Sequence, residues 1–125
     1  ILRCLVGSEM CIRDSIIAAP YWDLGFPAQL KTYIENIYVT GIVSAYNDHG
    51  QSCGLCRARS LTYITTAGGA YDPRFSFDYL TAMAKEYFGI RETRLIYAEC
   101  LDICGNDPEA ILQSAIDQIE RSADR

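Results

Sequence analysis

The sequence predicts an α/β domain built on a parallel β-sheet with three strand–helix units. Two observations carry that prediction. Short, apolar, β-branched runs alternate with longer segments whose apolar residues recur at three- and four-residue spacing. A proline or glycine also punctuates most of the junctions between them. Three such units in succession imply parallel strands joined by right-handed crossovers.

Taken in order, residues 16–19 form a short apolar run that reads as a strand covered on both faces. Pro27 sits at the first helical turn, where its missing N–H costs nothing. Leu30, Tyr33, Ile34, Ile37 and Tyr38 then give one apolar face to a helix over 27–40, with Gly41 as its stop. Residues 44–59, "SAYNDHGQSCGLCRAR", are polar and glycine-bearing and read as a loop. The stretch "SLTYITTAGG" is a second strand running into a glycine turn.

Phe77, Leu80, Met83, Ala84, Tyr87 and Phe88 mark a second helix over 75–90, with Gly89 at its exit. "TRLIYAEC" is a third strand and "LDICGND" a loop. Asp107 is the expected N-cap of the last helix and Pro108 its first residue. Ile111, Leu112, Ala115, Ile116 and Ile119 supply its apolar stripe. The chain shows no internal repeat and no low-complexity segment.

The bulk properties narrow the function. The chain has 125 residues, enough for one core but not two. Its net charge of −5 comes without a Lys/Arg cluster, so nucleic acid is not an expected partner. No apolar run reaches the roughly 18–20 residues of a membrane span. The expected location is cytoplasmic, with the six cysteines reduced.

The first residues stand apart. "ILRCLVGSEMCIRD" has neither helical nor strand periodicity. Residues 5–14 match one reading frame of a common sequencing-library transposon adapter. The expectation is that residues 1–14 are not native, and that the natural sequence begins at Ser15 or Ile16 within a longer gene.

In an open parallel sheet, ligands bind beyond the carboxyl ends of the strands. Here those ends carry Pro20, Tyr21, Trp22, Asp23 and Leu24 after the first strand. Thr66, Ala67, Gly68, Gly69 and Tyr71 follow the second, and the loop over 101–107 follows the third. Aromatic rings beside glycines that bare their backbone N–H groups suit a flat heteroaromatic ligand, and aromatics at a subunit interface would look similar.

"PYWDLGFPAQLKTYIENI" resembles the loop-and-helix signature of the FMN-dependent NAD(P)H oxidoreductases of the azoreductase and quinone-reductase group. "LTYITTAGG" and the segment from "FGI" to "AE" are similar to later parts of that family, and the resemblance runs from Ser15 to about Ser122. It implies a flavodoxin-like three-layer fold. Residues 15–125 would be the C-terminal part of its FMN-binding domain, with strands and helices one and two lying upstream.

The resemblance places Pro20, Tyr21, Trp22, Asp23 and Leu24 against the isoalloxazine ring, and Thr66, Ala67, Gly68 and Gly69 at its polar edge. Tyr71 is a candidate substrate contact. The family's Met, Asn and Arg are here Tyr21, Asp23 and Ala67. Asp23 would either act on the flavin potential or serve as a dipole partner of the following helix. The implied chemistry passes a hydride from NADH or NADPH to FMN, then to a quinone, azo or nitro acceptor, with no catalytic side chain required. A homodimer is implied. A non-catalytic flavodoxin-like electron carrier or regulatory module is the alternative.

Two further features have plainer readings. His49, in Asn-Asp-His-Gly surroundings, is expected to be a solvated loop residue rather than a substrate donor. Cys53 and Cys56, with Cys100 and Cys104, have the makings of a zinc or redox site, but their spacing favours ordinary packing and no metal is expected. The family's phosphate-binding loop has no counterpart before Ile16. The isolated fragment is therefore expected to bind FMN weakly, and to leave its first strand as an association-prone edge.

Overall fold

The computed structural model describes residues 14–123, so nearly all of the leader lies outside the described residues. The strand expected over 16–19 begins two residues earlier: β1 runs over Asp14–Ala18. The remaining elements are α1 (Ala28–Ile37), β2 (Ser44–Tyr46), β3 (Ser52–Gly54), β4 (Ser60–Thr66), α2 (Phe77–Met83), β5 (Glu92–Ala98) and α3 (Pro108–Ala123).

The main sheet is three-stranded and parallel, in the order β1–β4–β5. Its register sets Ile17 beside Tyr63 and Tyr63 beside Leu95. These side chains share one face of the sheet with Leu61, and α1 and α2 cover that face. The core there joins Ile34, Val43, Leu61, Tyr63, Leu80, Ala84, Phe88 and Ile90. α3 packs on the opposite face against β5. β1 is an edge strand, and Ile16, on the α3 side, is 66% exposed.

Several boundaries differ from expectation for physical reasons. α1 ends at Ile37, and Gly41 instead serves the following turn at φ +90°. The second helix is not continuous over 75–90. Pro73–Phe75 is a 3₁₀ turn capped by the Asp72 side chain, α2 follows, and Ala84–Phe88 widens into a π-helical turn. Gly89 closes that turn at φ +77°, a left-handed conformation that glycine adopts without steric cost. Asp107 caps α3 as expected, its Oδ1 accepting from the N–H groups of Glu109 (3.1 Å) and Ala110 (3.3 Å). The apolar stripe of α3 is only partly covered, since Leu112, Ile116 and Ile119 remain exposed.

The expected loop over 44–59 is the main correction. β2 and β3 form an antiparallel hairpin there, so Cys53 lies in a strand rather than a loop. Its tip is an Asx turn in which Asn47 Oδ1 accepts from the N–H groups of His49 and Gln51. The hairpin docks on the end of the π-helical turn, where Cys56 N–H donates to the Phe88 carbonyl at 3.1 Å. A Cβ on Gly54 would collide there with backbone atoms of Phe88 and Gly89, so only glycine permits this approach.

Candidate functional site

The chain bends sharply after β1. The N–H of Trp22 donates to the Gly25 carbonyl at 3.1 Å, and the N–H of Gly25 returns the bond to Trp22 at 2.8 Å. Asp23 and Leu24 between them have φ of +49° and +69°, as a tight turn of the type I′ kind requires. Asp tolerates that region, whereas a leucine there carries a strain of about 1–3 kcal/mol. The turn holds Trp22 and Leu24 out, 57% and 53% exposed. Asp23 therefore sits at a turn tip, outside the first turn of α1, which holds no acidic residue.

The turn after β4 lies alongside. Tyr21 N–H donates to the Thr66 carbonyl at 3.0 Å, and the Tyr21 ring meets the Tyr71 ring edge-on at a centroid distance of 5.0 Å. Pro20, Tyr21, Trp22, Asp23 and Leu24 are thus brought to the same end of the sheet as Thr66, Ala67, Gly68, Gly69 and Tyr71. Ala67 is buried, and both its backbone groups are committed: its N–H to Ala98 and its carbonyl to Leu101 N–H. The N–H groups of Gly68 and Gly69 donate to no acceptor among the described residues, and the space on the side-chain side of Gly69 is open.

Tyr71 is held by two neighbours. Its N–H donates to Glu99 Oε2 at 2.7 Å, and its hydroxyl shares a 2.8 Å hydrogen bond with the fully buried Ser76. Burial pushes its phenol above the ordinary range, offset in part by the Ser76 hydroxyl. The Tyr97 ring lies against it at 5.3 Å. Beside it, Asp72 binds Arg74 through both carboxylate oxygens, with contacts of 2.6 to 3.1 Å. The guanidinium holds the Asp72 carboxyl below its usual value.

Three residues escaped sequence reasoning. Glu99 and Ser76 act as anchors of Tyr71, and Asp102 lies over Gly68, where a Cβ would coincide with its carboxylate. The loop after β5 is laced to the glycine turn. The N–H groups of Cys100, Leu101 and Asp102 donate to the carbonyls of Gly69, Ala67 and Gly68 at 2.9, 3.3 and 2.9 Å. No sequence signal joins residues so far apart; only the parallel neighbours β4 and β5 do. Elsewhere, Cys53, Cys56, Cys100 and Cys104 are free thiols, with Cys56 pushed up by burial. Among the described residues no group of three or more His, Cys, Asp or Glu is placed to hold a metal ion.

The arrangement offers an exposed indole, a buried Tyr21 hydroxyl with no hydrogen-bond partner among the described residues, and two undonated glycine amides, with open space at Gly69 and the Asp102 carboxylate at Gly68. Those are complementary to a flat ring with hydrogen-bond acceptors on one edge.

Known proteins share this framework. An FMN-dependent NADH:quinone oxidoreductase 2 of Clostridium acetobutylicum is 38% identical over 113 residues, covering 86% of this chain and 56% of the relative. A Caldicellulosiruptor saccharolyticus protein, an FMN-dependent NADH:quinone oxidoreductase, is 38% identical over 115 residues, covering 88% and 57%. The crystal structure of an FMN-dependent NADH-azoreductase from Bacillus anthracis in complex with FMN aligns with a TM-score of 0.78 at 29% identity, over 90% of this chain and 55% of that one. The chain thus spans a little over half the length of the relatives it matches. The family model for the flavodoxin-like fold matches residues 15–123, and on that match the chain belongs to the flavodoxin-like fold family.

Proposed function

We propose that this chain carries the ring-binding part of an FMN-dependent oxidoreductase that takes hydride from NADH and delivers it to a quinone or azo compound, working as a cytoplasmic homodimer. The observation that carries the proposal is the convergence of the two turns: Tyr21, after β1, donates its N–H to the Thr66 carbonyl and sets its ring edge-on to that of Tyr71, after β4. The names of the relatives support the cofactor, the donor and the acceptor class.

In this reading, Trp22 and Leu24 cover the ring and exclude water, while Gly68 and Gly69 present their amides to its carbonyl edge. Thr66 borders the same edge, and Pro20 and Asp23 set the path of the turn. Tyr71, fixed by Ser76 and Glu99, supports Tyr21 from below. FMN, when bound, supplies the hydride chemistry itself, so the protein's part is orientation and a dry stack.

Trp22 is the single tryptophan of the chain, which makes its fluorescence a reporter of the site. Titration with FMN is expected to quench that emission saturably, and anaerobic NADH should bleach the bound flavin. Emission indifferent to millimolar FMN would refute the site. Binding without bleaching would favour an electron carrier.

A further inference from the structure

We propose that Asp102 is the anionic partner of the flavin's polar edge and that its charge lowers the reduction potential of the bound ring. This deepens the reading of the site given above and rests on it. The carboxylate occupies the place that a side chain of Gly68 would fill, and its own N–H donates to the Gly68 carbonyl at 2.9 Å. Its position is therefore fixed to the turn that offers the two free glycine amides.

Donor and acceptor patterns agree. The outer edge of an isoalloxazine presents one N–H between two carbonyls, and a carboxylate can only accept. Gly68 and Gly69 supply donors for carbonyls, and Asp102 supplies the acceptor for the N–H. Among the described residues no cation is paired with Asp102, and Arg74 is bound to Asp72. Two electrons and one proton convert the neutral oxidised ring to a reduced anion. An unneutralised carboxylate beside it opposes the product more than the reactant.

The test uses lumiflavin, which has no phosphate and so reports on ring binding alone. Dissociation constants of its oxidised and anaerobically reduced forms are measured for the 125-residue chain and its variants. Asp102→Asn, which keeps an acceptor but no charge, is expected to favour the reduced form about tenfold relative to wild type, about 30 mV in a two-electron couple. Asp102→Ala should give the same shift and also weaken the oxidised complex several-fold. An unchanged ratio in Asp102→Asn, with lumiflavin still bound, overturns the assignment. Failure of wild type to bind oxidised lumiflavin at all would instead overturn the site on which the assignment rests.

Discussion

Replacing Gly54 by alanine tests how the hairpin is mounted. The new Cβ would fall among the Phe88 carbonyl carbon and the N and Cα of Gly89, all of them backbone atoms that no rotamer change can move aside. The hairpin must withdraw, and such overpacking costs about 1–3 kcal/mol. Withdrawal also strains the Cys56 N–H to Phe88 bond of 3.1 Å, worth about 1 kcal/mol. A loss of about 2–4 kcal/mol is a large share of the roughly 5–15 kcal/mol that holds a domain together. For a domain near this size the melting temperature should fall by roughly 10–25 °C. Thermal unfolding followed by circular dichroism measures it, with Gly69→Ala as control. A Cβ there meets nothing within 4 Å, and that variant should melt within about 3 °C of wild type. If Gly54→Ala melts there too, the hairpin is not docked through this seam.

Two other outcomes follow from single side chains. Tyr63 is fully buried, and its hydroxyl has only the Thr65 hydroxyl beside it, with no hydrogen bond of good geometry among the described residues, so Tyr63→Phe should be neutral or stabilise by about 1 kcal/mol in urea unfolding; a loss of similar size would show that Thr65 pairs with it. Asp72 is depressed by the Arg74 side chain first and the Arg74 N–H second, so its contribution is complete above the ordinary carboxylate range and fades as pH falls through the lower folded value. Arg74→Ala should move the Asp72 carboxyl upward in an NMR titration, and an unmoved resonance would contradict the clamp.

The parallel sheet was legible because β4 is a seven-residue run with four β-branched residues, and β1 and β5 hold short apolar runs of their own. The caps were legible too, since Asp107 and Pro108 announce α3 by local chemistry alone. The hairpin was not. Its strands have three residues each, too short for an alternating pattern, and the seam that seats it is a contact between two glycines distant in sequence. The π-helical turn was hidden for a related reason: one extra residue per turn leaves the apolar spacing of Ala84, Tyr87 and Phe88 looking helical. At the site, the aromatic and glycine turns could be read from local residue types. Asp102, Glu99 and Ser76 could not, because their importance comes from strands that meet only in the folded chain.

The lacing of residues 100–102 to the glycine turn has a thermodynamic consequence. Exposed connections ordinarily sample many shapes, and a guest must freeze them at the expense of its own affinity. Here three amides already fasten one such connection to its neighbour, so the wall is set before any guest arrives. Recognition at this end of the molecule should then resemble a key entering a finished lock, with little ordering left to do.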